Sequence, residues 1–288
     1  MGLEIVPSGR GIGAEVGGVD LSRPLGPGVF DAIHAAWLEH QVLLFRGQRL
    51  SDEALVAFTR HFGEPQASPR SEVSDGFGKY APSMPEVTII SNILVDGRPI
   101  GSLGAGEADW HADMTFIETP PSACMLYALE LPPAGGNTMF CSMTRAAARL
   151  PDELRRAIQG RLAIHDYSMT SAGDLRKGFE KVTDVRQTPG ARHPLLVRHP
   201  ETGRTALLLG RRRNGYIVGL EVADSERLLD ALWAHACRKE LAFEQVWRVG
   251  DLVLWDNRCV MHRRDPFDAS RRRLLHRTQV LGAEPLAA

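Results

Sequence analysis

Apolar residues follow two spacings along this chain, and each spacing predicts a different kind of element. Most form short runs typical of β-strands, whereas a few stretches have the spacing of an amphipathic helix. The predicted strands are 11–16, 41–46, 87–95, 123–129, 137–140, 195–199, 206–209, 250–255 and 274–282. The predicted helices are 29–40, 52–62, 145–160 and 225–238. Many short strands and few helices favour a mainly β protein, an antiparallel sandwich or jelly roll with helical insertions.

Two of the predicted helices carry signals for where they begin. Ser51 is a favourable N-cap, and Asp52 and Glu53 suit the positive end of the helix dipole. Pro151 and Asp152 predict a second helix start inside 145–160, because proline is tolerated in the first helical turn.

Composition and charge limit the class of the protein and its partners. The 288 residues are 43% hydrophobic and 24% charged, which is ordinary for a globular protein, and we predict one domain over residues 1–288. The net charge of −1 supplies no basic field for nucleic acid or an anionic membrane. The sequence has neither the apolar core of a signal peptide nor an apolar run long enough to span a bilayer. Four scattered cysteines predict buried thiols in a cytoplasmic protein.

The candidate chemistry centres on His111 and Asp113, which are two residues apart. In an extended segment such residues point to the same side, so both can bind one cation. Two histidines and one carboxylate form the facial triad that holds non-heme Fe(II) and leaves coordination positions open, with His262 as the candidate third ligand. A His-x-Asp pair also arises by chance, so the surrounding residues must decide.

Nearby residues favour a metal site that also binds an anion. Trp110 and Phe116 are the apolar neighbours expected around a dry metal site. Arg273, which we expect on the next strand of a hairpin after His262, can clamp a carboxylate with two parallel hydrogen bonds. Thr138 follows a Gly-Gly-Asn turn and can donate its hydroxyl to the same carboxylate.

Together these features resemble the taurine dioxygenase/2,4-dichlorophenoxyacetate dioxygenase family of Fe(II)- and 2-oxoglutarate-dependent enzymes. The similar stretches are GIGAEVGGVDLSRPL, WHADMTFIETPPSACMLYALELPPAGGNT and WDNRCVMHRRDPFDASRRRLLHRT. The resemblance implies a double-stranded β-helix, which is a distorted jelly roll. It also implies that His111, Asp113 and His262 are the iron ligands, with no further residue assigned as catalytic.

The resemblance further implies the cosubstrates and the reaction. Thr138 and Arg273 match the positions that contact the far carboxylate of 2-oxoglutarate, and Fe(II) and O2 complete the set of cofactors. The implied reaction hydroxylates, or otherwise oxidises, a C–H bond of a small molecule and releases succinate and CO2. Since members of the family commonly form dimers or tetramers, we also expect a homo-oligomer.

Substrate contacts are expected at four positions. Ser68 stands where taurine dioxygenase has a histidine that helps hold the sulfonate, which argues against taurine as the substrate. Asn92 matches an asparagine of the substrate wall. Arg277 matches an arginine that reaches an anionic substrate, with a structural arginine beside the cosubstrate as the alternative. Arg213, within the run 211–213, is the member that we expect to face the pocket, although such a run is most often a solvated loop.

The walls of the substrate pocket are expected on three loops. The loops are 65–85, 97–106 and 165–179.

A zinc hydrolase could use the same triad with a bound water, but it would leave Thr138 and Arg273 without a role. A non-catalytic jelly-roll binding protein would have no need of an intact triad and anchor. The sequence therefore favours an oxygenase acting on a small anionic or polar molecule.

Overall fold

Two β-sheets of unequal size form the core of the protein in the computed structural model, which describes residues 2–68, 80–106 and 108–288. The α-helices are α1 (Val29–His40), α2 (Asp52–Arg60), α3 (Met143–Ala148), α4 (Asp152–Ile158) and α5 (Val222–Ala236). The strands are β1 (Glu4–Pro7), β2 (Ala14–Gly17), β3 (Val42–Phe45), β4 (Thr88–Ser91), β5 (Leu94–Val95), β6 (Arg98–Pro99), β7 (Ser102–Leu103), β8 (Ala108–His111), β9 (Ala123–Glu130), β10 (Thr138–Ser142), β11 (Leu162–Ile164), β12 (Arg192–Pro194), β13 (Leu196–Arg198), β14 (Thr205–Leu207), β15 (Tyr216–Ile217), β16 (Ala242–Gln245), β17 (Leu252–Asp256), β18 (Val260–Arg264) and β19 (Leu274–Val280).

The larger sheet has the strand order β1-β2-β3-β17-β9-β19-β4-β7, and the smaller sheet has the order β16-β10-β18-β8. Neighbouring strands are antiparallel, except that β2 runs parallel to β3 and β4 parallel to β7. Three shorter ladders, β12-β11-β15, β13-β14 and β5-β6, lie outside these sheets. This mainly antiparallel arrangement confirms the predicted jelly roll with helical insertions.

The central strands of the larger sheet are buried on both faces, which explains why their sequences are continuous apolar runs. On β17, Val253 and Trp255 point into the core between the two sheets, where they share a cluster with Phe140 of β10. Leu252 and Leu254 point to the opposite face, which is covered by α1 and α2. Side chains that alternate between two apolar layers therefore hold the sheets and helices together.

Most predicted elements form within a few residues of the expected bounds. Helix α2 begins after Ser51, whose hydroxyl accepts a hydrogen bond from the Ala54 backbone N–H at 3.2 Å, as predicted. The predicted interruption at Pro151 is also present, because this residue caps α4 after α3 has ended. Of the predicted loop 65–85, residues 69–79 lie outside the described part of the chain.

The hairpin expected between His262 and Arg273 does not form. His262 lies on β18 in the smaller sheet, whereas Arg273 directly precedes β19, which pairs with β4 and β9 in the larger sheet. The chain therefore crosses from one sheet to the other between these residues. The crossing brings the two candidate functional groups together from opposite sheets.

All four cysteines are free thiols, and Cys124, Cys141 and Cys259 are buried, in agreement with the predicted absence of a disulfide framework. Burial raises the pKa of Cys237, which is partly exposed, to about 12. In the described part of the chain, no helix has the length and apolar character that crossing a membrane requires.

Candidate active site

The register of two strands places the two candidate imidazole ligands side by side. β18 runs antiparallel to β8, and His262 lies directly opposite His111. Their ring centroids are 4.2 Å apart. Because side chains opposite each other on one sheet face have Cβ atoms about 5 Å apart, the strand pairing alone brings both rings to one point.

Asp113 completes the predicted triad from a position just beyond the end of β8. Its Oδ1 lies 3.5 Å from Nε2 of His111, and the candidate donor atoms of the three residues all lie within 4.8 Å of one another. All three side chains are buried. Two imidazole nitrogens and one carboxylate converging from neighbouring segments match the donor set of a facial iron site.

The protonation states of the triad suit metal binding. Nδ1 of His111 lies 2.7 Å from the carbonyl oxygen of Asp109, which can only accept, so Nδ1 carries the proton and Nε2 presents a lone pair. Burial and the neighbouring His111 lower the pKa of His262 to about 3. Burial acts to raise the pKa of Asp113, but Arg277 and the imidazoles hold it well below its usual range. An imidazole nitrogen with a free lone pair beside an ionised carboxylate is the arrangement that binds a cation.

Several hydrogen bonds fix the orientation of Asp113. The Asn257 side chain accepts from the Asp113 N–H at 2.8 Å and donates to its carbonyl oxygen at 2.9 Å. Gln279 Nε2 and Arg277 Nη1 donate to Oδ2 at 3.1 and 3.3 Å. Since both donors to the carboxylate use Oδ2, the other oxygen, which faces His111, is left for a metal ion.

The triad opens into a cavity of about 480 Å³ that ends at a buried guanidinium. Arg273 is only 2% exposed and donates from Nη2 to the Gly136 carbonyl at 3.2 Å, while its Nε has no partner among the residues that the structure describes. Burial and Arg264 lower the pKa of Arg273 to about 9, so it remains a cation at neutral pH. A buried, incompletely paired guanidinium is unfavourable unless an anion binds to it.

Thr138 and Gly136 shape this end of the cavity for an anion. The Thr138 hydroxyl accepts a hydrogen bond from Nε1 of Trp247 at 3.0 Å, which leaves its own proton for a second acceptor. Gly136 has a φ of 68°, and a Cβ on this residue would lie 3.1 Å from Nε of Arg273. The glycine thus lets the guanidinium pack against the backbone. A carboxylate fits the hydroxyl and guanidinium donors together.

The family model described as "Taurine catabolism dioxygenase TauD, TfdA family" matches residues 4–279. The chain belongs to this family. Its fold and its activity are therefore those of an α-ketoglutarate-dependent (that is, 2-oxoglutarate-dependent) dioxygenase. Fe(II), 2-oxoglutarate and O2 are its cofactors, and its substrate is a small molecule. The family therefore favours this activity over the zinc hydrolase and the non-catalytic binding protein.

Relatives of known activity cover almost the whole chain. The (S)-phenoxypropionate/alpha-ketoglutarate-dioxygenase of Delftia acidovorans is 32% identical, over 97% of this chain and 95% of the relative. The alpha-ketoglutarate-dependent 2,4-dichlorophenoxyacetate dioxygenase of Cupriavidus pinatubonensis is 35% identical, over 93% and 94%. The alpha-ketoglutarate-dependent sulfate ester dioxygenase of Pseudomonas putida is 31% identical, over 99% and 91%.

Solved structures agree with these relatives. The crystal structure of AAD-2 in complex with Mn(II) and N-oxalylglycine superposes with a TM-score of 0.81, at 29% identity and 100% coverage of both chains. A taurine dioxygenase from Burkholderia xenovorans gives a TM-score of 0.77 at 32% identity, over 98% of this chain and 90% of that one.

Two of the residues expected to contact substrate in this dioxygenase lie behind the cavity wall. Asn92 donates to the backbone carbonyls of Ala269 and Arg271 and accepts from the Arg273 N–H at 2.9 Å, so its amide holds the loop that leads to the anchor. Ser68 is buried and accepts a hydrogen bond from Thr88 at 2.9 Å. Among these six residues, only Thr88 and Arg273 line the cavity.

The arginine run 211–213 contributes a different residue to the dioxygenase cavity than the one expected. Arg213 is exposed and lies outside the lining, and Arg212 pairs with acidic residues of α5. Arg211 lines the cavity because its backbone forms an antiparallel bridge with His111. Arg277 also lines the cavity and donates to Asp113 at 3.3 Å, while its Nε has no partner among the described residues, an arrangement that fits both the substrate contact and the structural role expected for it.

Three further arginines were missed as site residues. Arg264 follows His262 by two positions on β18, so strand alternation was a usable signal for it. Arg176 lies on the predicted loop 165–179, where no periodicity indicates the direction of a side chain. Arg211 was recognised only as part of its run. All three line the dioxygenase cavity.

A second cluster of potential metal ligands, His199, Asp256 and Cys259, is an ion-pair network instead. Arg258 donates to both carboxylate oxygens of Asp256, at 2.8 and 2.7 Å, and His199 lies 2.8 Å from Oδ2. Burial also raises the pKa of the Cys259 thiol well above its usual range. Since Asp256 already has its partners, the triad around Asp113 is the better metal site of this dioxygenase.

Proposed function

We propose that this dioxygenase oxidises a C–H bond of a small organic anion. The supporting observation is the charge of the cavity: its described lining carries five arginines but only two aspartates. Fe(II) adds further positive charge, and the dianion 2-oxoglutarate offsets only part of the total. The remaining positive electrostatic potential in this confined and partly desolvated cavity favours an anionic substrate over a neutral one.

The relatives support the same substrate class through their names. Three of these relatives are named for phenoxypropionate, 2,4-dichlorophenoxyacetate and sulfate esters, which are all organic anions. A cavity of about 480 Å³ lies in the range of small-molecule sites, which fits compounds of this size beside the cosubstrate.

In this proposal each group of the chain has a separate task. His111, Asp113 and His262 hold Fe(II), and Arg273 with Thr138 binds the far carboxylate of 2-oxoglutarate. When bound, these two partners and O2 supply the oxidising chemistry and release succinate and CO2. Buried Trp255 and Phe116 keep water from the reacting groups. The protein needs no acid or base of its own.

We also propose that residues 1–288 act as one domain, because the site takes residues from both sheets. Four free thiols suit a reducing cytoplasm. The near-neutral net charge of −1 favours neither nucleic acid nor a membrane surface as a partner. A homo-oligomer, dimer or tetramer, is the expected assembly, and light scattering coupled to size-exclusion chromatography measures it.

Anaerobic addition of Fe(II) and 2-oxoglutarate tests the ligand assignment. The wild-type protein should develop a weak visible metal-to-ligand absorption band, and Asp113→Ala should not. Admitting O2 together with a panel of carboxylates, sulfonates and sulfate esters should then stimulate succinate release with at least one class. Tight zinc binding without the band, or a response only to neutral compounds, would contradict the proposal.

A further inference from the structure

The cavity arginines form two groups. Arg264 and Arg273 belong to the 2-oxoglutarate end, where their central carbons lie 5.5 and 5.9 Å from the ring centroid of Phe267. Arg176 and Arg211 lie together elsewhere in the lining, and both donate to the Met169 carbonyl oxygen, at 3.3 and 3.1 Å. Donation to one shared atom shows that the two guanidinium groups converge.

The second group has positive charge without an ion-pair partner in the described part of the chain. Neither Arg176 nor Arg211 makes a salt bridge there, and Nε of Arg211 is buried without a partner among the same residues. Asp113 and Asp166 act on both guanidinium groups only at longer range. Two like charges held together and partly desolvated destabilise the unliganded cavity, and an anion bound between them relieves this cost.

Aromatic stacking fixes the two guanidinium groups in place. Their central carbons lie 4.8 and 5.4 Å from the ring centroid of Phe116, which itself stacks on Tyr167 at 4.3 Å. Stacking uses the faces of a guanidinium and leaves its N–H edges available to bind an oxyanion. Pre-ordered donors lose less entropy when a ligand binds.

The backbone places this pair next to the metal ligands. Arg211 forms its β-bridge with His111, and the Ala112 N–H donates to the Gly210 carbonyl at 3.3 Å. Gly210 has a φ of 66°, and a Cβ there would lie 2.2 Å from Nδ1 of His165, so this approach of the chain requires glycine. An anion on the arginine pair therefore lies within one small molecule's length of the triad.

We propose that Arg176 and Arg211 bind the anionic group of the substrate, a carboxylate or a sulfate, and so select the substrate of the oxygenase. The assignment rests on the proposed function and specifies which residues carry it out. Arg277 donates to Asp113, and its Nε has no partner among the described residues, so it can add to this receptor beside the metal ligands. Asp174, the acidic residue on the same part of the lining, is exposed and sets the polarity of the rim.

Calorimetry on the Mn(II)- and N-oxalylglycine-loaded protein tests the assignment without turnover. The probes are (S)-2-phenoxypropionate, 2,4-dichlorophenoxyacetate and hexyl sulfate, each compared with a neutral counterpart: the two amides and hexanol. Wild type should bind at least one anion more than tenfold tighter than its neutral counterpart. Arg176→Gln and Arg211→Gln should each reduce this ratio roughly tenfold to hundredfold, since each removes a charge-assisted hydrogen bond.

Arg213→Gln is the matched control, because it removes an exposed arginine from the same run and should leave the ratio unchanged. Arg211→Lys keeps the charge and should restore part of the preference even if Arg211→Gln is poorly folded. If the glutamine variants lose the preference for the two carboxylates, the pair is a carboxylate receptor. If they lose the preference for hexyl sulfate, it is a sulfate receptor. Equal ratios in wild type, Arg176→Gln and Arg211→Gln, or no anion preference in wild type, would overturn the assignment.

The two proposals fail in different ways. If an anion stimulates succinate release but the arginine variants keep its preference, the proposed function stands and the receptor lies elsewhere. If no organic anion stimulates succinate release, the proposed function fails, and the receptor assignment fails with it.

Discussion

At the scale of single residues, the site is built from charges that the surrounding protein leaves partly unsatisfied. Arg273 is almost fully buried with one carbonyl partner, and Asp113 is ionised in a buried setting. Such groups reduce the stability of the unliganded protein, so 2-oxoglutarate and the metal should stabilise it when they bind. The same features that make these residues costly make them effective receptors.

Replacing Arg273 tests the cosubstrate anchor. Arg273→Gln should weaken 2-oxoglutarate binding roughly hundredfold or more, because two charge-assisted hydrogen bonds are lost. Thr138→Val, which loses one neutral donor, should have a smaller effect, on the order of tenfold. Titration of the Mn(II)-loaded protein measures both values. Arg271→Gln, an exposed arginine two positions away, is the control, and an equal effect there would refute the anchor.

Asn257 is a positioning residue whose contribution can be measured through the metal. Asn257→Leu removes both hydrogen bonds to the Asp113 backbone and should weaken metal binding about 10- to 100-fold. Competition titration with Mn(II) gives the affinity. Asn137→Leu removes a bond to Glu244 outside the site and should leave it unchanged. Unchanged metal affinity in a folded Asn257→Leu protein would show that Asp113 needs no such support.

At the scale of elements, the sequence was most informative where periodicity and capping act locally. Helix α1 has the predicted bounds, and the cap at Ser51 and the interruption at Pro151 form as expected. The crossing between β18 and β19 was not predictable, since hydrophobic spacing does not distinguish a hairpin from a change of sheet. Loop residues such as Arg176 and Arg213 have no periodicity from which the direction of a side chain can be inferred, so the member of the run 211–213 that lines the cavity was not predictable.

Contacts between elements also give a pH-dependent prediction. His276 of β19 contacts Asp52 of α2 at 2.6 Å. Burial acts to raise the pKa of Asp52, but the bonds from His276 and Ser83 lower it below its usual value. Because the folded pKa is depressed, the carboxylate stabilises the fold above the unfolded pKa, and this stabilisation is lost as pH falls through the folded pKa.

Asp52→Asn should therefore lower the free energy of unfolding by about 1 kcal/mol near pH 7, and the difference from wild type should shrink below about pH 4. Urea unfolding across this range measures it. Asp31→Asn, in the first turn of α1 and exposed, tests for a general helix-dipole effect and should change less. If Asp52→Asn lowers the free energy of unfolding by the same amount at every pH, the charge of Asp52 does not stabilise the fold.

A substitution at Gly210 tests whether the segment before Arg211 needs a glycine to pack closely beside β8. Gly210→Ala combines a left-handed φ with a clash against His165 and should cost several kcal/mol, on the order of 2–4. Gly160→Ala has a φ of 69° but open space around the new Cβ, so it isolates the backbone cost of about 1 kcal/mol. Thermal unfolding compares the two, and equal losses would show that the close approach is unimportant.

At the scale of the whole molecule, the two sheets each supply part of one site. The metal ligands belong to β8 and β18 or follow them, whereas Arg273, Arg277 and Gln279 come from the larger sheet or its leading loop. Residue type, spacing and resemblance predicted the triad and the anchor because their donor chemistry is specific, and the structure brings these residues to one cavity. Asn92 and Ser68 are not among the residues that line this cavity, and the sequence alone does not show which way their side chains point.

Oxygen-isotope labelling decides whether this fold and site act as an oxygenase on organic anions. With Fe(II), 2-oxoglutarate, ¹⁸O2 and the panel of carboxylates and sulfate esters, wild type should form succinate that carries ¹⁸O, in amounts matched to an oxidised anion. Asp113→Ala should form neither product. Products whose new oxygen comes from water, formed without O2 or 2-oxoglutarate, would contradict the assignment and indicate a metal hydrolase.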